Sequence, residues 1–119
     1  MAAQQQVLPQ FIPLIKDTVH QLVIGNYAGL IADGQADNWT EETLHDIIAE
    51  ITERQGALVD LPDEAFDRGV SSSLQLNDGG WGADMSLWTI KGISEWTIVL
   101  DIHNKSGAIV VQIEDIEVK

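Results

Sequence analysis

The segment Trp96-Thr97-Ile98-Val99-Leu100-Asp101-Ile102 decides the fold, because large apolar side chains occupy every second position in it. Thr97, Val99 and Asp101 stand between them. A period of two residues is that of a β-strand with one face on a core and the other toward solvent. We therefore predict a strand here, with Asp101 on the solvent side.

Neighbouring segments show the same alternation or contain turn residues. Further strands are predicted at residues 70–76, 85–90 and about 108–118, with turns at residues 78–82, 91–92 and 104–107. In the last strand the apolar phase shifts between Ile113 and Ile116, which predicts a β-bulge near Glu114 and Asp115. Strands joined by short loops pair with their sequence neighbours, so we expect an antiparallel meander of about four strands.

Helical periodicity precedes the sheet. Pro13 suits the first turn of a helix, because its missing N–H needs no partner there, and Gly25 is expected to end that helix. A shorter helical stretch follows. Thr40 or Asn38 is expected to cap a further helix, which ends at Gly56. The sequence thus predicts an α+β fold, with two to three N-terminal helices packed on one face of the sheet.

The length of 119 residues fits one domain. We predict a single α+β domain over residues 9–119 and a flexible tail over residues 1–8. The chain has no cysteine and no signal-peptide pattern at its N-terminus, so a cytoplasmic location is expected. Charged residues and glycines interrupt the apolar stretches, so we expect no helix that spans a membrane.

The balance of charge is strongly acidic. Six basic residues oppose 19 acidic ones, and the formal net charge at pH 7 is −13. Nucleic acids and anionic membranes attract Lys and Arg, so neither is expected to bind this chain. Two interpretations of the acidity stay open at this stage. The charge keeps the protein soluble, or it attracts a basic protein partner.

No pattern of residues indicates catalysis or a bound metal. The three histidines, at positions 20, 45 and 103, are not at metal-ligand spacing. The acidic pairs fall on faces predicted to be exposed, where a carboxyl group is not tuned for acid–base catalysis. The glycine-rich stretch 78–82 lacks the lysine of a phosphate-binding loop. We expect a protein that is not an enzyme and that has no catalytic residues, cofactor or metal.

The stretch Leu87-Trp88-Thr89-Ile90-Lys91-Gly92-Ile93-Ser94-Glu95-Trp96-Thr97-Ile98 resembles a family of small bacterial domains of unknown function. That family has a leucine-tryptophan-threonine step, a glycine turn and a serine-acid strand in its sheet. Residues 22–27, 63–66 and 111–118 are similar to it as well. The resemblance implies the fold and no particular activity. In size and style the chain is also similar to bacterial toxin-immunity proteins.

The leading hypothesis for function is a non-enzymatic protein-binding module of immunity or inhibitor type. Trp81, which is expected in a loop among glycines, is the candidate anchor, because tryptophan is enriched in binding hot spots. Asp78 and Asp84 would rim this anchor and attract a basic partner. Trp39, also expected in a loop, is the second tryptophan of the candidate site.

Two alternatives from other classes stay open. One is a ligand-binding or catalytic pocket between the helices and the sheet, around Asp101, Tyr27 and His20. The other is an uncharacterised cytoplasmic homo-oligomer, for instance a homodimer, which associates through the exposed face of the sheet. A concave pocket lined by these three groups would favour the first alternative, and a monomer at high concentration would count against the second.

Overall fold

The computed structural model describes residues 6–118 of the chain. Its helices are α1 (Ile12–Val23), α2 (Tyr27–Ala32) and α3 (Glu41–Gln55), and its strands are β1 (Ser71–Gln75), β2 (Trp81–Thr89), β3 (Gly92–Lys105) and β4 (Ala108–Val118). Short 3₁₀ turns lie at Pro9–Phe11 and Asp63–Phe66. The predicted α+β class, with the helices before the sheet, is confirmed.

The helices begin and end at the residues that the sequence predicts. Pro13 lies in the first turn of α1, and Gly25 follows the helix with a positive φ of 76°. Thr40, rather than Asn38, caps α3. Its hydroxyl accepts a hydrogen bond from the Thr43 N–H at 3.1 Å, and the Thr43 hydroxyl accepts one from the Thr40 N–H at 2.9 Å. This reciprocal arrangement satisfies two backbone donors that a helix N-terminus otherwise leaves without partners.

The sheet has the order β1-β2-β3-β4, and every neighbouring pair is antiparallel. Strand β2 begins four positions earlier than predicted, because Gln75 pairs directly with Trp81. The intervening turn is tight. The Leu76 N–H donates to the Gly80 carbonyl at 2.8 Å, and the Asp78 carboxylate accepts the Gly80 N–H at 2.9 Å. The prediction that Trp81 lies in a loop was therefore wrong.

Two irregularities interrupt the sheet. In β4, Asp115 pairs with Val99 and Ile113 pairs with Leu100, so Glu114 is an extra residue and the predicted bulge is confirmed. A second irregularity between β2 and β3 was not predicted. There the Ser94 hydroxyl donates to the Leu87 carbonyl at 2.7 Å and accepts the Trp96 N–H at 3.1 Å. A side chain thus replaces backbone partners where the ladder breaks.

The core lies between the helices and one side of the sheet, which we call the helix-facing side. Alternate residues of β2, β3 and β4 supply it, and they pair across the strands. They are Ala83, Met85, Ile98, Leu100, Ile102, Val111, Ile113 and Ile116, all of them buried. From the helices come Ile15, Leu22, Leu44 and Ile51, which are fully buried. Burying one such side chain contributes about 1.5–3 kcal/mol.

The segment before α1 differs in part from the predicted flexible tail. Val7 is buried, and the Ser73 hydroxyl donates to the Gln6 carbonyl at 3.1 Å. Residues 6–8 are therefore packed, because an apolar side chain there reaches the core and a strand residue bonds its backbone. The rest of the predicted tail, residues 1–5, lies outside the described residues.

Candidate functional site

The side of the sheet opposite the helices, which we call the open face, carries the polar partners of the core positions. Side chains alternate between the two sides of a strand, and residues paired across strands share a side. The central residues of the open face are therefore Ser72, Leu74, Gly82, Asp84, Thr97, Val99, Asp101, Gln112, Asp115 and Glu117. The helices lie on the other side of the sheet, and these residues are partly or fully exposed, apart from Thr97, which is buried.

Four acidic side chains lie on the open face around Val99. Val99 pairs with Asp84 on β2 and with Asp115 on β4, while Asp101 and Glu117 lie on the adjoining rows. Neighbouring strands are about 4.8 Å apart, so carboxylates on β2 and β4 lie roughly 10 Å from each other. Such a spacing suits several separate Lys or Arg side chains of a partner better than one bound cation.

One end of the open face is closed by the segment before β1. The guanidinium carbon of Arg68 lies 5.7 Å from the centroid of the Trp88 ring. The Ser86 hydroxyl accepts the Val70 N–H at 2.8 Å, which holds this segment against β2. The Trp88 side chain is buried as a result. The accessible part of the open face therefore begins beyond Ser86.

A cleft of about 400 Å³ lies at the other end of the open face, and Asp78, Gly79, Gly80, Asp101, His103 and Asn104 line it. The Nδ1 atom of His103 is 3.7 Å from the nearer carboxylate oxygen of Asp101, which is an ion-pair distance when the ring is protonated. Both side chains are about one-third exposed. The cleft thus joins the acidic surface to the turn that holds Asp78.

The structure divides the sequence-predicted binding residues between different surfaces. Asp84 is on the open face, and Asp78 is beside it in the cleft with Asp101. Trp81 is on the opposite side of β2, where its ring lies edge-on to Phe11 with centroids 5.8 Å apart. Trp81 and Asp84 are three residues apart on one strand, so they point to opposite sides and do not form one cluster.

Trp39 also has an internal role. It lies in a loop, as predicted, but its indole N–H donates to the Ile113 carbonyl on β4 at 3.2 Å. Its ring packs against the core and is partly buried. Trp39 thus ties the loop before α3 to the edge of the sheet.

The three groups of the predicted internal pocket are not brought together. Asp101 is on the open face, and Nδ1 of His20 lies 2.8 Å from the Asp60 carboxylate at the surface. Tyr27 contacts His45 edge-on at 6.5 Å, and partial burial raises the pKa of its hydroxyl. Ile15, Leu22 and Leu100 fill the space between helices and sheet. A packed core therefore lies where that pocket was expected.

Sequence reasoning missed the contribution of β4 to the acidic surface. The phase shift in the sequence predicts a bulge near Glu114 and Asp115, but neither Asp115 nor Glu117 was assigned to a face of the sheet. The bulge itself is the signal that could have placed them. One extra residue at Glu114 reverses the alternation, so that Ile116 faces the core while Asp115 and Glu117 face outward.

Within residues 6–118, no group of three or more His, Cys, Asp or Glu side chains is arranged to hold a metal ion. None of the helices described over the same range is both long enough and apolar enough to cross a membrane.

The geometry defines a class of protein, namely an α+β domain with its helices on one side of a meander and an acidic sheet face on the other. Residues 19–119 match a family described as a domain of unknown function, DUF7668, and the chain belongs to this family. The expectation of a small domain of unknown function is thereby confirmed. No curated protein and no solved structure matches the chain.

Proposed function

We propose that this protein is a non-enzymatic module that binds a basic protein partner through the open face. The observation that carries the proposal is the set of four carboxylates around Val99, on three strands that no helix covers. A rigid sheet holds these charges in fixed positions. Charges arranged in this way raise the rate of association and select the partner by complementarity.

Two basic residues flank this surface. Arg68 is engaged over Trp88, and Lys105 is at the hairpin between β3 and β4. Val99 is an apolar residue at the centre of the four carboxylates, and Leu74, which is 37% exposed on the edge strand β1, supplies a second apolar contact. A mixture of apolar centre and charged surroundings is the usual composition of a protein interface.

The finer form of the proposal is an immunity or inhibitor role, in which the acidic surface covers the basic active surface of a toxin or enzyme in the cytoplasm. The resemblance in size and style to toxin-immunity proteins motivates it, and the net charge of −13 supports it. A long-range field of this sign speeds capture of a cationic partner.

The proposal is tested by affinity capture from native lysate with three forms of the protein. They are the wild type, the open-face variant Asp84→Asn/Asp101→Asn, and the control variant Asp46→Asn/Glu50→Gln on α3. The two variants have equal net charge. Capture is performed at low salt and at about 0.15 M salt, where charge effects are screened beyond roughly 8 Å.

We expect the wild type and the α3 variant to retain one stoichiometric basic protein at the higher salt. We expect the open-face variant not to retain it. Equal loss from both variants would mean that only net charge matters, and the open face would not be the site. Capture of no stoichiometric protein by any form would also contradict the proposal.

A further inference from the structure

The cleft at the end of the open face contains a histidine with an unpaired ring nitrogen. The Nδ1 atom of His103 is buried and has no hydrogen-bond partner within residues 6–118. The nearer carboxylate oxygen of Asp101 is 3.7 Å from it, which is too long for a hydrogen bond. While the ring is neutral, His103 therefore neither bonds the Asp101 carboxylate nor neutralises its charge.

A glycine allows a second carboxylate to line the same cleft. A Cβ atom at Gly80 would lie 3.2 Å from the Ile102 carbonyl oxygen and 3.5 Å from the Cβ atom of His103. Because Gly80 has no side chain, the turn between β1 and β2 lies directly against β3. This turn carries Asp78, and one oxygen of its carboxylate accepts the Gly80 N–H at 2.9 Å. Asp78 thus lines the cleft from the turn, while Asp101 lines it from β3.

The chemistry of this lining favours a cation with several N–H donors. Carboxylates only accept hydrogen bonds, and a neutral histidine ring has one acceptor nitrogen. A guanidinium group is planar, carries five donors in a fixed fork and stays charged, so it bonds two carboxylates at once more readily than an ammonium group does. The cleft of about 400 Å³ has room for one such side chain.

The charged groups around His103 come from β3 and from the turn. Asp101 lies two residues before His103 and Lys105 two residues after it, so the three side chains are on the same side of β3. Asp78 lines the cleft from the turn. The β4 residues that pair with His103 and Asp101 are uncharged. Two negative charges and one positive charge therefore surround a neutral ring, and protonation of the ring balances them.

We propose that the cleft binds the guanidinium group of one arginine residue while His103 is neutral, and that protonation of His103 weakens this binding. The carboxylates of Asp78 and Asp101 accept hydrogen bonds from the guanidinium group. A protonated His103 lies at ion-pair distance from Asp101 and competes for its carboxylate. In the function proposed above, on which the biological role of this site rests, the arginine belongs to the basic partner.

The experiment is a titration of the isotope-labelled protein with N-acetyl-arginine N-methylamide, followed by NMR of the backbone amides of Gly79, Gly80 and Asn104. The Gly80 amide reports directly on the site, because it bonds the Asp78 carboxylate. The citrulline analogue is the neutral control, since a urea group of similar shape replaces the guanidinium. The lysine analogue tests whether an ammonium group is sufficient. Ionic strength is held constant at about 0.15 M, where distant charges are screened.

Two variants and two matched controls test the protein side. Asp78→Asn removes a charge from the cleft and keeps an oxygen that accepts the Gly80 N–H. Its control, Asp46→Asn, removes an exposed charge on α3. His103→Gln removes the titrating ring, and its control His45→Gln removes an exposed histidine on α3. Measurements at about pH 8 and about pH 5.5 change the charge of histidine while most carboxylates stay ionised. The amide spectrum shows that each variant is folded.

We expect the arginine derivative to shift the cleft amides to saturation and the citrulline analogue to produce no saturable shift. Binding should be roughly fivefold weaker at about pH 5.5 than at about pH 8, because one unit charge at contact distance in water has about this effect. Asp78→Asn should weaken binding by a similar factor for the same reason. His103→Gln should remove the pH dependence, and both controls should match the wild type.

Three results would contradict parts or all of this proposal. Equal binding of the arginine and citrulline derivatives, or unchanged binding by Asp78→Asn, would overturn it. Equal binding of the lysine analogue would contradict the assignment to arginine. A pH dependence that persists in His103→Gln would contradict the role of the histidine.

The titration contains no partner protein, so its result is separable from that of the capture experiment. If arginine does not bind but Asp84→Asn/Asp101→Asn still loses the captured protein, the cleft proposal falls and the open-face proposal stands. If arginine binds but no form of the protein captures a basic partner, the cleft remains an arginine site and the open-face proposal falls.

Discussion

Ser94 is the residue on which the irregular pairing of β2 and β3 most depends. Its buried hydroxyl bonds both the Leu87 carbonyl and the Trp96 N–H. We predict that Ser94→Ala lowers the free energy of unfolding by about 1–3 kcal/mol, because two buried backbone groups lose their partner. Urea denaturation measures the change. Thr52→Ala, which removes an exposed hydroxyl on α3, should change stability by less than about 0.5 kcal/mol.

The ion pair between Lys16 and Asp63 leads to a prediction about the pKa of Asp63 and the pH dependence of stability. A hydrogen bond from Lys16, together with its charge, lowers the pKa of the Asp63 carboxyl below its ordinary value. We predict that Lys16→Gln raises this pKa toward the ordinary value, as measured by NMR titration of the carboxyl carbon. The control Lys91→Gln should leave it unchanged.

The sign of the corresponding effect on stability follows from linkage. A carboxyl with a lowered pKa in the folded protein contributes stability above its ordinary pKa, and this contribution is lost as the pH falls through the folded value. The difference between wild type and Lys16→Gln should therefore shrink in acid. A difference that grows as the pH falls through that range would contradict this assignment.

For individual residues, the sequence predicted burial more accurately than it predicted which residues share a surface. Trp81 was misplaced because the glycines around it suggested an open loop, whereas Asp78 closes the turn and β2 begins at once. A carboxylate that bonds a backbone N–H two residues on is a local feature that sequence can suggest. Packing of Trp81 on Phe11 is a contact over a long sequence separation, and no local pattern reveals it.

The elements themselves were largely predictable, and α3 shows why. Its apolar period, the cap at Thr40 and the end at Gly56 are all local signals. We predict that Thr40→Ala costs about 0.5–2 kcal/mol of stability, because the Thr43 N–H loses its acceptor. Chemical denaturation measures the loss. Thr40→Ser keeps the hydroxyl and should recover most of it, and an equal loss in both would contradict the capping role.

The order of the strands in the sheet was predictable from the sequence, but the strand ends and the contacts along the sheet edges were less so. The β4 bulge could be read from the shift between Ile113 and Ile116, because burial forces apolar residues to one side. The contacts that cover the outer edge of β4 at Ile113 could not be predicted from the sequence. They depend on Gln35 and Trp39, which are distant in sequence and reach Ile113 only in the folded chain.

The net charge of the whole molecule leads to a prediction about how its thermal stability depends on salt. With −13 on 119 residues, repulsion among carboxylates opposes the compact state. We predict that the thermal unfolding midpoint rises as KCl increases from about 0.01 M to about 0.15 M, over which the screening length falls from roughly 30 to 8 Å. Differential scanning calorimetry measures it. A midpoint that falls over this range would mean that attractive ion pairs outweigh the repulsion.

The arrangement of the whole molecule separates two roles. One side of the sheet packs against the helices and supplies stability, while the other side carries four carboxylates around Val99. The sequence shows that the chain is acidic, but the composition does not distinguish carboxylates on α3 from carboxylates on the sheet. It therefore does not show which side of the sheet is acidic. Only the pairing of Val99 with Asp84 and Asp115 identifies which of these carboxylates form one surface.

The most direct test of the central claim is carbodiimide cross-linking of the captured complex, followed by mass spectrometry. The reagent joins carboxylates to partner lysines only where the two are in contact. We predict cross-links at Asp84, Asp101, Asp115 and Glu117, with few at the α3 carboxylates. Cross-links spread over α3 and the sheet in proportion to exposure would mean that the partner recognises net charge, and the open face would not be the binding surface.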